Sequence, residues 1–232
     1  ELYEVNIKGT ANMINFSILN GVERFLYMSS IAVMDSINNE VITEKSSFLD
    51  KKFHSKYACS KFEGEMEVWR GSQEELNVVI VNAGVVLGGG FWDQSSGEVF
   101  KKSLKGYYTS GGSAFVFVKD LAKCSVKLMN KGCFRERFIV ISENISYKKL
   151  VKKICSFKNN RTKFISNTQL KWLRTFASWG ALLGFENILS QATYESLISR
   201  THYDNSKVKK TLDYEFEEID KVLPSILKEY EI

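Results

Sequence analysis

The sequence has few of the residues that hold metals. It contains only two histidines, and its four cysteines form no Cys-x-x-Cys pair. The cysteines are Cys59, Cys124, Cys133 and Cys155. Structural zinc sites need such pairs together with further cysteine or histidine ligands. We therefore expect no metal site, and reduced thiols of the kind found in cytoplasmic proteins.

Long apolar runs are also missing. The longest, FASWGALLGF at 176–185, lies between Arg174 and Glu186, whereas a helix needs about 20 apolar residues to cross a bilayer. The first residues, ELYEV, have neither a basic start nor an apolar core, so they do not read as a signal peptide. We expect no membrane span, and a buried helix at 176–185 is favoured over contact with a membrane surface.

Neither sign of charge dominates the chain. Its 232 residues include 32 Lys+Arg and 27 Asp+Glu, a net charge of +5, and 44% are hydrophobic. Such a composition predicts a globular protein with a sizeable core. Because the charges are interspersed, a solvated surface is favoured over binding to nucleic acid.

Short apolar segments alternate with longer helical ones over residues 1–142. The predicted strands are 24–28, 78–81, 115–118 and 138–141, and the predicted helices are 2–20, 57–75, 98–104 and 120–130. This alternation predicts a parallel sheet covered by helices. Glycines at 88–90 and 111–112 fall within residues 85–113, which we expect to form active-site and substrate loops.

The pattern becomes mostly helical from residue 143 onward. The predicted helices are 147–157, 168–183, 192–199 and 217–230. The only proline, Pro224, lies in the last of them and indicates a kink or a late start, because proline has no backbone donor. We therefore divide the chain into two parts, 1–142 and 143–232.

A tyrosine and a lysine lie four positions apart at Tyr57 and Lys61. Residues at this spacing share one face of a helix. A free tyrosine has a pKa of about 10, so proton transfer near neutral pH needs a positive charge that stabilises the phenolate. Lys61 supplies such a charge, although the same spacing is also common in helices without a catalytic role.

Two serines, Ser29 and Ser30, directly follow the predicted strand at 24–28. Ligands of doubly wound sheets bind at the carboxyl ends of the strands. A hydroxyl at this position is therefore placed to hold a substrate oxygen. In isolation, the pair would equally suit an ordinary turn.

Taken in order, these motifs resemble those of the extended short-chain dehydrogenases/reductases, the NAD-dependent epimerase/dehydratase family. The matching segments are NIKGTAN at 6–12, GVERFLYMSS at 21–30, YACSK at 57–61 followed by Glu65, VNAGVVLGG at 81–89, FVFVKDLA at 115–122, RFIV at 137–140 and YDNSK at 203–207. The resemblance covers nearly the whole chain. It implies an α/β fold with an incomplete Rossmann-type, doubly wound parallel sheet and a smaller, mostly helical C-terminal substrate lobe.

The resemblance also implies roles for individual residues. Tyr57 matches the catalytic acid/base, Lys61 the residue that bonds the nicotinamide ribose and lowers the tyrosine pKa, and Ser30 the hydroxyl that orients the substrate. Ser29, one position earlier, is the alternative match for this hydroxyl and is otherwise expected to contact the cofactor. The turn whose backbone approaches the nicotinamide matches Asn82, Ala83, Gly84 and Val85. The implied cofactor is NAD or NADP, which carries the hydride.

Three departures from the family pattern stand out. Asn82 and Ala83 replace the usual Arg-Pro, and Lys119 stands where an acidic residue is common. The GxxGxxG turn that binds the pyrophosphate in this family occurs nowhere in the sequence. We therefore expect a piece of a longer protein that lacks the first strands, with the edge of strand 24–28 unpaired. Activity is expected of the full-length parent and not of this piece.

The expected function is that of an NAD(P)-dependent oxidoreductase or epimerase acting on a hydroxyl or carbonyl of a small molecule. Two alternatives stay open: a non-catalytic binding or sensor protein on the same fold, and an inactive truncated remnant. The joint presence of Ser30, Tyr57 and Lys61 argues against a sensor.

The resemblance further implies a homodimer formed through the helices at 2–20 and 57–75. We expect Met66, Val68 and Trp69 near that interface, with packing on the sheet as the alternative. Apolar residues crowd the C-terminal lobe, where a helix-packing core is favoured over an apolar substrate pocket. They are Trp172, Leu173, Phe176, Trp179, Leu182, Leu183 and Phe185.

Overall fold

The computed structural model describes residues 1–35, 40–48, 54–90, 97–182 and 189–230, and gives only the backbone for 178–182 and 230. The strands are β1 (Arg24–Ser30), β2 (Asn77–Ala83), β3 (Val85–Leu87), β4 (Tyr107–Tyr108), β5 (Gly112–Phe117), β6 (Glu136–Val140), β7 (Glu143–Ser146) and β8 (Lys163–Phe164). The helices are α1 (Thr10–Leu19), α2 (Lys56–Gln73), α3 (Gly97–Leu104), α4 (Val118–Lys131), α5 (Tyr147–Ser156), α6 (Asn167–Leu182), α7 (Gln191–Ile198), α8 (Ser206–Leu212) and α9 (Ile219–Tyr230).

The central sheet is parallel and has the strand order β1-β2-β6. Ser30 pairs with Ala83, which in turn pairs with Val140, so the three strands end at one edge. Residues 78–81 of the middle strand, β2, are fully buried. Burial on both faces explains their continuous β-branched sequence. Among the described residues β1 pairs only with β2, in agreement with the open edge predicted for strand 24–28.

A second sheet joins β3, β5 and β7, with β3 parallel and β7 antiparallel to β5. The chain passes from β2 into β3 through Gly84, where a Cβ would lie 2.8 Å from the carbonyl oxygen of Ala114. The strand predicted at 115–118 is found as β5, but in this sheet and not in that of β1 and β2. The predicted boundary at 142 thus falls between strands of neighbouring sheets, and β7, from the second part, pairs with β5, from the first.

The helix α2 lies against α1 and the central sheet. Its first turn is capped by the Ser55 hydroxyl, which accepts a hydrogen bond of 3.1 Å from the backbone N–H of Ala58. Val68 is fully buried in a cluster with Ile14 and Ile80. The prediction that placed Val68 near a dimer interface is therefore wrong: it faces the sheet, and only the opposite side of α2 is open to solvent.

The remaining helices follow the predicted positions with small shifts. The helix α4 ends at Gly132, whose φ of +73° is the left-handed conformation that suits glycine at a helix end. The helix α9 begins at Ile219, later than the predicted 217, and contains Pro224. The helix α8 and the two-residue pair β4–β8 were not predicted, because segments this short carry little periodic signal.

The apolar run at 176–185 was predicted to be a buried helix. It begins in α6, where Phe176 is 65% exposed, so the prediction is wrong for this residue. The side chains of Trp179, Leu182, Leu183 and Phe185 lie outside the described residues. Among the described helices, none is both long enough and apolar enough to cross a membrane.

Candidate active site

A cavity of about 660 Å³ opens at the carboxyl ends of β1 and β2, beside the first turns of α2. Its wall includes Ser30, Tyr57 and Lys61 together with the turn that leads into β3. The full lining is Met28, Ser29, Ser30, Ile31, Ala32, Tyr57, Lys61, Ala83, Gly84, Val85, Val86, Val99, Ser113, Ser196 and Tyr203. Of the residues predicted for the site, only Asn82 does not line this cavity.

Tyr57 and Lys61 lie one turn apart at the start of α2, directly after the Ser55 cap. The Tyr57 side chain is 45% exposed, so the phenol is open to the cavity and to a ligand. The Lys61 ammonium donates a hydrogen bond of 2.6 Å to the carbonyl oxygen of Met28 and lies 4.6 Å from the centre of the Tyr27 ring. Burial lowers the pKa of Lys61, and the negative charge of Glu65 partly opposes this shift.

The two serines at the end of β1 have different partners. The Ser29 hydroxyl is buried and donates a hydrogen bond of 2.6 Å to Glu65 Oε2. The Ser30 hydroxyl, on the opposite side of the strand, accepts a hydrogen bond of 3.2 Å from the backbone N–H of Ala32. Because that contact uses the oxygen as an acceptor, the Ser30 proton stays available to a ligand.

Glu65 joins the elements that carry the site. It is fully buried, and its two oxygens accept hydrogen bonds from four side chains. The donors are Ser29 at 2.6 Å, Asn82 at 2.9 Å, and Trp69 and Arg137 at 3.4 Å. A buried carboxylate requires such partners. Sequence analysis noted Glu65 only as part of the motif, since its position four residues after Lys61 says nothing about the strands it would meet.

Asn82 belongs to this buried network beneath the cavity. Its amide nitrogen donates to Glu65 at 2.9 Å and to the carbonyl oxygen of Ser30 at 3.3 Å. Its side-chain oxygen has no hydrogen-bond partner among the described residues. Asn82 therefore ties the end of β1 to β2 at a position where the family usually has arginine.

The C-terminal part of the chain supplies residues that sequence analysis did not assign to the site. Tyr203 and Ser196 line the cavity, and so does Ser113 from β5. Burial, with a smaller contribution from Asp35, raises the pKa of Tyr203 to about 12. Its phenol therefore stays neutral and keeps its proton. The match of 203–207 to a family motif was the only signal for Tyr203.

A second cavity of about 630 Å³ adjoins the first, and Ser113 lines both. Its wall includes Gly111 and Gly112 and the basic side chains of Lys148 and Arg200. The other glycine turn, at 88–90, lines neither cavity. A Cβ at Gly88 would instead meet the side chain of Val118 at 2.7 Å, so this turn packs against α4.

Comparison with known structures supports the fold. A nucleoside-diphosphate-sugar epimerase from Pseudomonas aeruginosa superposes with a TM-score of 0.83 at 17% identity, covering 100% of this chain and 74% of that protein. A dTDP-glucose 4,6-dehydratase from Bacillus anthracis, solved with NAD, has a TM-score of 0.72 at 14% identity and covers 99% and 68%. Both are Rossmann-type enzymes, and at this level of identity the similarity establishes the α/β fold alone.

Comparison of sequences gives the family. This chain is 27% identical to a Synechocystis sp. protein that is provisionally named dihydroflavonol 4-reductase. The match extends over 157 residues, which are 62% of this chain and 45% of that protein. The chain thus spans less than half of this relative. The profile of the NAD dependent epimerase/dehydratase family matches residues 1–140. Since this match covers more than half of the chain, the protein belongs to the NAD dependent epimerase/dehydratase family.

Proposed function

We propose that this chain carries the proton-transfer site of an NAD(P)-dependent oxidoreductase or epimerase that acts on a hydroxyl or carbonyl of a small molecule. The observation that carries the proposal is the meeting of Ser30, Tyr57 and Lys61 on the wall of one cavity of about 660 Å³. Cavities of a few hundred Å³ are typical of small-molecule sites. The family membership and the fold are consistent with this chemistry.

The cavity suits the nicotinamide end of the cofactor. Lys61 and Tyr57 would hold the ribose, and the backbone of Ala83, Gly84 and Val85 would lie beside the ring. When bound, the dinucleotide gives or takes the hydride. Because residues 1–232 contain no GxxGxxG turn, we propose that the pyrophosphate is bound by sequence outside this chain. The proposal covers NAD and NADP alike.

Residues of this chain would orient the substrate and transfer the proton. The Ser30 hydroxyl donates a hydrogen bond to the substrate oxygen and fixes its position. The Tyr57 hydroxyl gives a proton to that oxygen or accepts one from it. The Lys61 ammonium favours the phenolate through its positive charge. Glu65 and Asn82 touch neither substrate nor cofactor in this scheme, and act as positioning residues for the end of β1.

We also propose that the protein forms a homodimer through the solvent-exposed face of α1 and α2. Large apolar side chains are exposed on this face, at Met13, Phe16, Leu19 and Met66. Several large apolar side chains exposed on neighbouring helices are typical of protein interfaces.

The test is to titrate NADH and NADPH into this chain and into a version extended by its upstream coding sequence, while following nicotinamide fluorescence. We expect the extended protein to bind, and Tyr57→Phe to keep binding while losing turnover on a panel of carbonyl substrates. If neither version binds a dinucleotide, the enzyme proposal is wrong. Turnover that survives Tyr57→Phe would contradict the role given to the tyrosine.

A further inference from the structure

An apolar surface is exposed on the C-terminal lobe, where α6 lies beside the β4–β8 pair. Its five large side chains are 47% to 65% exposed and line a shallow groove of about 340 Å³. We call this surface the aromatic patch; it consists of Tyr107, Phe164, Trp172, Leu173 and Phe176. Single exposed apolar residues are ordinary, but a contiguous group marks a binding surface.

The helix α6 presents its apolar stripe away from the fold. Leu170 is buried, and the guanidinium of Arg174 lies 4.9 Å from the ring of Tyr194 on α7, so this side of α6 faces the protein. Trp172, Leu173 and Phe176 share the opposite side by their three- and four-residue spacing. The rings of Trp172 and Phe176 lie 6.3 Å apart. The apolar face therefore faces solvent.

The segment that carries most of the patch has charged residues of one sign. From residue 144 to residue 185 the sequence contains no aspartate or glutamate, although the whole chain has 27 of them. The same stretch carries Lys148, Lys149, Lys152, Lys153, Lys158, Arg161, Lys163, Lys171 and Arg174. The balance of charges over the whole chain therefore conceals a basic stretch at 144–185, which we call the basic lobe; within it, Lys149 and Lys153 pair with Asp220 of α9. Lys163 lines the groove of the patch itself.

We propose that the aromatic patch docks on the surface of an anionic lipid bilayer. Surface-bound helices present an apolar face with aromatic residues to the acyl boundary and place lysine and arginine near the anionic headgroups. The exposed stripe of α6 provides the apolar face, and the basic lobe provides the lysines and arginines. Docking of this kind needs no membrane-spanning helix.

Two other occupants fit the same surface less well. A second copy of the chain would bring one basic lobe against another, because the two halves of a symmetric dimer use the same surface. Single-stranded nucleic acid would match the charge, but it binds by stacking bases on aromatic rings. Leu173, which is exposed beside Trp172 on the same surface, is aliphatic and offers no ring for stacking.

The position of the patch links docking to the proposed site. Phe164 lines both the groove of the patch and the second cavity, which shares Ser113 with the cavity of Tyr57. Docking would bring the groove and these neighbouring cavities close to the lipid surface, where a substrate with an apolar portion is concentrated. This last consequence rests on the proposed function, whereas the docking itself does not.

The experiment is flotation of the chain with phosphatidylcholine vesicles, with and without about one quarter phosphatidylglycerol, which supplies the anionic surface. We expect flotation with the anionic vesicles and not with the neutral ones. Leu173→Glu should abolish it. Val126→Glu is the matched control, since Val126 on α4 is 60% exposed against 52% for Leu173 and the charge change is the same.

The basic lobe is tested by Lys163→Gln, which should weaken binding to the anionic vesicles roughly five-fold if the lysine lies near the headgroups. Failure to float with anionic vesicles would overturn the proposal, as would flotation that Leu173→Glu leaves unchanged. If Leu173→Glu instead abolishes binding to an oligonucleotide or self-association without any vesicle binding, the occupant is nucleic acid or a second copy. Flotation uses neither cofactor nor substrate, so its failure is separate from failure of the proposed function.

Discussion

Ser29 donates a hydrogen bond of 2.6 Å to the fully buried carboxylate of Glu65, across the contact between β1 and α2. This bond engages the Ser29 hydroxyl and leaves the Ser30 hydroxyl as the one whose proton is available to a ligand. Because successive side chains of a strand point to opposite faces, engaging Ser29 below the cavity turns Ser30 toward it. Glu65 thereby positions the strand end relative to the helix of Tyr57 and Lys61.

The two serines should respond differently to removal of the hydroxyl. Ser30→Ala is expected to lower kcat by roughly a hundred-fold, as is typical for loss of a donor to a substrate oxygen, with little change in stability. Ser29→Ala should instead reduce the free energy of unfolding by about 1–3 kcal/mol, because Glu65 loses a buried donor. Turnover and urea unfolding of both variants measure the difference. A Ser29→Ala variant with the larger loss of kcat would reverse the assignment.

Tyr57 and Tyr203 line the same cavity but should differ in function. Tyr57→Phe is expected to lower kcat by roughly 10²–10⁴-fold, the usual effect of removing a general acid/base. Tyr203→Phe should retain most of the turnover, since the raised pKa keeps this phenol neutral. The measurement is steady-state kinetics of both variants, made in the version of the protein that is extended by its upstream coding sequence and binds the cofactor. An equal loss of kcat in the two variants would contradict the role of Tyr57 as the acid/base.

Glu65 should set the alkaline limit of activity through Lys61. Burial lowers the pKa of Lys61 and Glu65 opposes that shift, so Glu65→Gln should lower the pKa further. The ammonium exists only below its pKa, so activity should fall at a lower pH in the variant. The measurement is kcat against pH, with Glu67→Gln as control, because Glu67 pairs with Arg70 at 2.9 Å. An unchanged alkaline limb in Glu65→Gln would contradict the coupling.

Gly64 allows α2 to approach the start of the chain. A Cβ there would clash with the Asn6 carbonyl oxygen and the Tyr27 hydroxyl, whereas at Gly9 the nearest atom, the Glu4 carbonyl oxygen, is 3.5 Å away. Gly64→Ala should therefore destabilise the fold by about 1–3 kcal/mol. Gly9→Ala should be neutral or stabilise by up to about 1 kcal/mol, owing to the helix propensity of alanine. Urea unfolding compares them; equal effects would argue against close packing at Gly64.

The proposed homodimer is open to a direct test. Phe16 on α1 is 63% exposed, and Phe16→Asp should convert a dimer to a monomer, because it places a charge within an apolar interface. Phe157→Asp, on the C-terminal lobe, is the control and should leave the mass unchanged. Light scattering measures the molar mass of the wild-type chain and of the two variants. A wild-type chain that is monomeric at all concentrations would rule out this interface.

Local patterns gave the three proposed catalytic residues as candidates, and the family resemblance gave them their roles. Tyr57 and Lys61 lie one helical turn apart, and Ser30 is the last residue of a strand, so their local geometry follows from spacing along the chain. The same holds for the buried strand 78–81 and for the helix end at Gly132. Each of these features depends on neighbours within a few positions.

Other parts of the site depend on contacts between distant segments. Tyr203 reaches the cavity of Tyr57 from far along the chain, and no pattern in either segment indicates the other. The short strands β3 and β7 form only because β5 lies between them.

Sequence thus determined the order of most helices and strands and their apolar and polar faces, and its resemblance to a family implied which residues transfer a proton. The tertiary structure decided what each face meets: Val68 packs on the sheet, the Ser29 hydroxyl donates to Glu65, and the apolar stripe at Trp172 and Phe176 is exposed to solvent. The reason is physical. Periodicity in a sequence specifies that one side of a helix or strand is apolar, but burial is set by whichever segments pack against that side.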